Sequence, residues 1–201
     1  MNKKQKSQVI WGAIIVIAIA VGVIYSATRP TYEGTAGPRP FKGGEQAEVV
    51  VEEFSDFQCP ACGAAYPLLK AVADTYGDQI RFEYNHYPLT RIHPNAMNAA
   101  LASECANDQG KFWEMHDMIF EHQRDLSKSV LKTLASDLDL DIDAFNACLD
   151  SRAYKDIVEA DIQEGNERGV NATPTIYVNG AKRSPSDIYD VIDKALAETI
   201  D

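Results

Sequence analysis

The chain has 201 residues, 45% of them apolar, and carries 19 Lys and Arg against 30 Asp and Glu, a formal net charge of −11. The charge is uneven: six of the 19 basic residues lie in residues 1–42, while residues 48–201 hold 13 basic against 28 acidic side chains. Such an acidic surface disfavours nucleic acid and anionic lipid headgroups as partners, and the length allows one domain with a competent core.

Residues 1–8 contain Lys3, Lys4 and Lys6, and the next seventeen, Val9 to Tyr25, contain no charged side chain. At ~1.5 Å rise per residue that run spans ~26 Å, close to the ~30 Å hydrocarbon core of a bilayer. Residues 9–26 are therefore expected to form a membrane anchor of the chain's own. The lysines keep residues 1–8 in the cytoplasm, and the remainder is exported to a periplasm or cell-wall space. A cleaved signal peptide is the alternative, for which Ser26-Ala27-Thr28 is a loose match. Residues 27–47, with Pro30, Pro38, Pro40, Gly34, Gly37, Gly43 and Gly44, read as a linker without a face to bury. Residues 48–201 remain as the folded domain.

Val49 to Phe54 is a short β-branched and aromatic run, predicted as a strand. Glu53 and Glu52 are expected to point to opposite faces of it, Glu52 toward solvent. Then comes Asp56-Phe57-Gln58-Cys59-Pro60-Ala61-Cys62, followed by Leu68, Leu69, Val72, Ala73 and Tyr76 at helical spacing and a stop at Gly77-Asp78. Two cysteines in the first turn of a helix can close a small disulfide ring. There the free backbone N–H groups and the positive end of the helix favour a thiolate on the first one. A Cys-x-x-Cys is also half of a zinc site, which needs a second ligand pair. His86, His93, His116 and His122 lack that spacing, and Cys105 and Cys148 stand alone.

Ile80 to Tyr87 is predicted as a second strand that includes His86. About 75 mostly helical residues follow: His93–Asn107, a second helix with Phe112, Trp113, Met115, Ile119 and Phe120, and a third with Ser127 at its N-cap. Asp141 caps a short helix carrying Cys148, and a longer helix ends at Gly169. Thr175–Val178 is a strand, Asn179-Gly180 a hairpin turn, and Ser184-Pro185 the start of the last helix. Without the helical block this order is β-α-β followed by β-β-α, the thioredoxin arrangement.

With its motifs FSDFQCPAC at 54–62, ECANDQGKFWEMHDMIF at 104–120 and GVNATPTIYVNG at 169–180, the chain resembles the DsbA-like thiol–disulfide oxidoreductases, in particular their membrane-anchored bacterial branch. The resemblance runs from Val49 to Leu196. It implies a thioredoxin-like α/β fold with an all-helical insertion at about residues 92–168. It assigns Cys59 as the nucleophile, Cys62 as the buried resolving thiol, and Thr173-Pro174 as the cis-proline dipeptide facing them. Glu53 matches the buried acid that eases proton movement at the resolving thiol, the alternative being an exposed edge-strand glutamate. Cys105 and Cys148 match a structural disulfide pair, the alternative being two buried free thiols. His93 and His116 match family positions and are read as packing residues. Two departures stand out. Pro60-Ala61 replaces the Pro-His of strongly oxidising members, which removes a donor near Cys59 and implies a less oxidising pair. Gln58 replaces the tryptophan of thioredoxins and of tethered reductases.

The resulting expectation is a membrane-tethered, extracytoplasmic and monomeric oxidoreductase that introduces disulfides into unfolded exported proteins with free cysteines. A membrane quinone-linked reoxidase restores the pair, and no metal or organic cofactor is needed. The alternatives are a reductase or isomerase with the same site, or a non-catalytic module in which the cysteines hold copper(I) or a client.

Overall fold

The computed structural model describes residues 39–199. The basic tail at 1–8 and the anchor at 9–26 lie outside the described residues. Among the described residues, no helix is long and apolar enough to cross a membrane.

A five-stranded sheet of order β1-β3-β2-β4-β5 organises the domain. Its centre is β2 (Val49–Ser55), which opens with three valines and is buried on one face and partly buried on the other. Strand β3 (Ile80–His86) pairs with it in parallel, Val49 opposite Ile80 and Ser55 opposite His86. A parallel pair needs a crossover, which is α1 (Pro60–Tyr76), ended by Gly77 at φ 48°. Strand β4 (Thr175–Val178) runs antiparallel to β2, with Glu53 opposite Ile176. It continues into β5 (Ala181–Arg183) through Asn179 and Gly180, whose φ values of 47° and 75° are the positive pair that a tight type I′ hairpin requires. Helix α7 (Ile188–Glu198) closes the chain. It packs with α1 over Val49, Val51, Ile80, Phe82, Ile176 and Val178.

Between β3 and β4 lies the insertion of α2 (Ala96–Asn107), α3 (Phe112–Glu121), α4 (Lys128–Asp137), α5 (Ile142–Ser151) and α6 (Lys155–Glu167). Its own core includes Leu101, Ile119, Leu131, Leu134, Phe145 and Leu149. Cys105 on α2 and Cys148 on α5 are joined by a disulfide, with Cα atoms 5.8 Å apart. Asp141 caps α5 by accepting a hydrogen bond from Ala144 N at 3.0 Å. Ser127 holds the N-cap position of α4, but its hydroxyl faces Ser129 at 3.1 Å instead of the backbone.

Two expectations are corrected here. The linker at 27–47 gives way at its end to β1 (Phe41–Gly43), which pairs antiparallel with β3, Lys42 opposite Phe82. Three residues are too few for a periodic signal. They are held by the Arg81 guanidinium 3.9 Å from the Phe41 ring centre and by Trp113, whose Nε1 donates to the Phe41 carbonyl at 3.1 Å. Glu52 does point away from Glu53, but not into solvent: both its oxygens accept from the Arg168 guanidinium, at 2.5 and 2.8 Å.

Candidate active site

The turn that carries the cysteine pair is built by Asp56, the first residue after β2. Its backbone carbonyl accepts from Cys59 N at 3.0 Å and its Oδ1 from Gln58 N at 2.8 Å, so the side chain mimics one more turn of backbone. Oδ2 accepts from Leu89 N at 2.8 Å and lies 2.7 Å from His93 Nδ1. Gln58 Oε1 in turn accepts from Asn95 N at 2.7 Å. The loop after β3 is thereby fastened to the turn, which gives the two polar side chains before Cys59 a role in holding it. Phe57 is buried between Tyr84 and Phe120, with both ring centres 5.0 Å away.

Cys59 occupies the N-cap position of α1 with Pro60 at its first residue, where the missing N–H costs nothing. Both thiols of the pair are free, and they differ in access: Cys59 is 7% exposed and Cys62 0%. The Thr173–Pro174 peptide bond is cis, and the Thr173 carbonyl faces the pair, accepting from the Cys59 thiol at an Sγ···O distance of 3.5 Å. Behind it, Asp56 N donates to Cys62 Sγ at 3.5 Å. Burial pushes the Cys62 thiol up to about 12, and the Glu53 charge adds to the push. The Ser55 and Thr173 hydroxyls and the Asp56 N–H offset this only in part. Such a thiol is held in its protonated form at neutral pH, so a nearby base would favour its reaction.

Glu53 supplies a candidate. It lies one strand position pair before Ser55, opposite Tyr84 in the register, and is 2% exposed. Burial pushes its carboxyl up to about 7, with the Ser55 hydroxyl pulling weakly the other way. A carboxyl there is divided between acid and base forms at neutral pH. Its Oε1 has no hydrogen-bond partner among the described residues. Glu53 also lines a small cavity of about 10 Å³ whose other polar walls are Lys42, Tyr66, Lys70, His116 and Asp117. His116, read from sequence as a packing residue, is packed between Tyr84 and Phe120 and is hydrogen-bonded at Nδ1 to Asp117 at 2.9 Å. Its Nε2 is buried without a partner among the described residues, and burial holds the ring down to about 4, so it is neutral at pH 7.

The structure thus brings Glu53, Cys59, Cys62, Thr173 and Pro174 together at one end of the sheet, and leaves the Cys105–Cys148 disulfide inside the insertion. Sequence reasoning missed Ser55, Asp56, Tyr84 and Gln123. Asp56 had a signal, an aspartate beginning a tight turn before a helix. Gln123 had none. Among the described residues no three His, Cys, Asp or Glu side chains converge as a metal-binding group.

The family model described as "Thioredoxin" matches residues 35–198. Among curated relatives, the "Na(+)/H(+) antiporter NhaA 1" of Salinispora arenicola is 38% identical over 155 residues, 77% of this chain and 24% of that protein. The "Na(+)/H(+) antiporter NhaA" of Herminiimonas arsenicoxydans is 36% identical over 141 residues, 70% of this chain and 22% of that protein. The chain therefore spans about a quarter of the length of the curated relatives it matches. Among solved structures, oxidised BdbD from Bacillus subtilis is 27% identical, with a TM-score of 0.69 over 79% of this chain and 93% of that one. The alpha-DsbA1 of Wolbachia pipientis shares the fold at 22% identity, with a TM-score of 0.68 over 83% of this chain and 94% of that one.

Proposed function

Since the chain belongs to the thioredoxin family and is DsbA-like in its helical insertion, we propose that it is an extracytoplasmic protein thiol:disulfide oxidoreductase, anchored by residues 9–26, that introduces disulfides into exported proteins. The observation that carries this reading is the asymmetry of the pair. Cys59 sits at the mouth of the site, 3.5 Å from the Thr173 carbonyl, and Cys62 is fully buried behind it.

In the oxidised protein a client thiolate attacks Cys59 Sγ, a client–Cys59 bond forms, and the Cys59–Cys62 bond breaks. The two electrons of that bond leave on Cys62 Sγ, which takes a proton from Glu53. A second client thiolate then attacks the client sulfur of the mixed disulfide, and Cys59 departs as the thiolate. The client loses two electrons to the pair and its two thiol protons to solvent; one proton from solvent restores Glu53, and the reduced pair is left as the Cys59 thiolate and the Cys62 thiol. Reoxidation reverses the roles: Glu53 accepts the Cys62 proton and the electrons pass to a membrane quinone-linked reoxidase. The anchor raises the effective concentration of the domain beside that partner.

One feature sets the tuning. Ala61 places no charge-capable donor at the Cys59 sulfur, which moderates the oxidising strength. The same feature favours the second reading, a reductase that uses the same residues. The relatives' antiporter names describe proteins of which this chain matches 25% or less, and no transport activity is carried over.

The test is trapping with a reduced peptide containing a single cysteine, which cannot resolve its own mixed disulfide. Cys62→Ala, once activated as a mixed disulfide at Cys59, retains the peptide through Cys59, whereas Cys59→Ala retains none. Equal trapping by both variants, or by neither, refutes the assignment.

A further inference from the structure

One side chain from the inserted block hydrogen-bonds the backbone of the redox turn. Gln123, just beyond α3, donates from Nε2 to the carbonyls of both Phe57 and Cys59, each at 2.8 Å. The Cys59 carbonyl also accepts from Gly63 N at 3.1 Å, so the first turn of α1 and the side chain from the insertion meet on one oxygen.

The other end of the Gln123 amide explains an anomaly in α1. Gly63 lies inside this 17-residue helix, where alanine is the better former, and its φ is not positive. What glycine provides there is space. A Cβ on residue 63 would stand 2.2 Å from Gln123 Oε1, 2.8 Å from its Cδ and 2.9 Å from its Nε2. The amide therefore occupies the gap left by a missing side chain, its oxygen nearest residue 63 and its donor end on the turn. These two observations, a shared donor and a glycine against helix propensity, point to the same contact.

We propose that Gln123 is a positioning residue for the redox pair: seated on Gly63, its amide holds the Phe57–Cys59 turn and so keeps the Cys59 sulfur against Thr173, making exchange at Cys59 depend on the inserted helices. The inference rests on the reading of Cys59 as the exchanging sulfur. It gives the insertion a part in the chemistry as well as in the architecture.

The test uses the full chain in its dithiol form and measures the rate of reaction with glutathione disulfide from pH 4 to pH 8, each variant expressed as a ratio to wild type. Gln123→Ala should lower the rate at least tenfold. Gln123→Glu discriminates positioning from bulk stability within one protein. Protonated, it can still donate to a carbonyl; ionised, it presents only acceptors to two carbonyl oxygens. Its ratio should lie within threefold of one at pH 4 and fall at least tenfold by pH 8. Gly63→Ala should slow exchange in the wild-type background and change it less than twofold in the Gln123→Ala background, because the contact it disturbs is already gone. A Gln123→Glu ratio flat with pH, or additive effects of Gly63→Ala and Gln123→Ala, overturns the proposal. Cys59→Ala serves as the separate control: if it still exchanges, the reading of Cys59 fails, whereas its silence beside a wild-type rate in Gln123→Ala condemns only the role of Gln123.

Discussion

Replacing Glu53 by glutamine should remove a pH-dependent penalty that the fold carries at its centre. The carboxyl is 2% exposed, and burial lifts it from an ordinary value of 4.5 to about 7. Below pH 4.5 the acid is protonated in both folded and unfolded chains and adds no penalty. Between 4.5 and 7 the unfolded chain ionises first and binds fewer protons, so stability falls as pH rises. Above 7 the loss is complete. A gap of that size corresponds to about 3 kcal/mol. The assay is urea unfolding at intervals from pH 4 to pH 8.5, with Cys59 and Cys62 kept reduced and Cys105–Cys148 intact. Relative to its value at pH 4, Glu53→Gln should be about 3 kcal/mol more stable than wild type at pH 8. In the same variant, formation of the Cys59–Cys62 disulfide from the mixed disulfide should slow by about 10²-fold and lose its inflection near pH 7. Parallel stability curves would refute the placement of a strained acid beneath the pair, and an unchanged rate would refute its role as the base for Cys62.

Other consequences are independent of Glu53. Replacing both Cys105 and Cys148 with alanine opens a loop of sequence separation 43 and should cost about 4 kcal/mol in the chain-entropy account, read as a lower urea midpoint. The exchange rate at Cys59 should survive wherever the variant is folded, and its loss in a folded protein would tie the insertion's disulfide to the chemistry. Arg39→Ala takes the guanidinium, 3.0 Å away, from the buried Asp161, whose carboxyl burial already raises and which then keeps the His86 N–H at 2.8 Å. The expected cost is about 2 kcal/mol at pH 7, shrinking toward pH 4 as Asp161 protonates, and a pH-independent cost would contradict the pairing.

Much of the fold was legible because its signals are local. The β-branched run at Val49, the helix stop at Gly77, the Asp141 cap and the Asn179-Gly180 turn each act within a few residues, and each holds in the structure. What escaped depends on partners far away in sequence. Phe41–Gly43 is a strand only because β3 and Trp113 receive it. Glu52 is satisfied by Arg168, 116 residues on. The helix expected from His93 starts at Ala96, since Leu89, His93 and Asn95 are drawn to Asp56 and Gln58 instead. In the site, the Cys-x-x-Cys spacing identified the chemistry, whereas the Gln123 contact has no sequence signature at all: an exposed-looking glutamine after one helix meets a glycine within another.

The most direct test of the account is the reduction potential of Cys59–Cys62 in the full chain, measured by equilibration against glutathione with alkylated thiols counted by peptide so that Cys105–Cys148 is scored apart. A value between about −120 and −180 mV, the range of DsbA and protein disulfide isomerase, is the result expected of a protein that donates disulfides to its clients. A value near about −270 mV, that of thioredoxin, would contradict it and make the same residues those of a reductase.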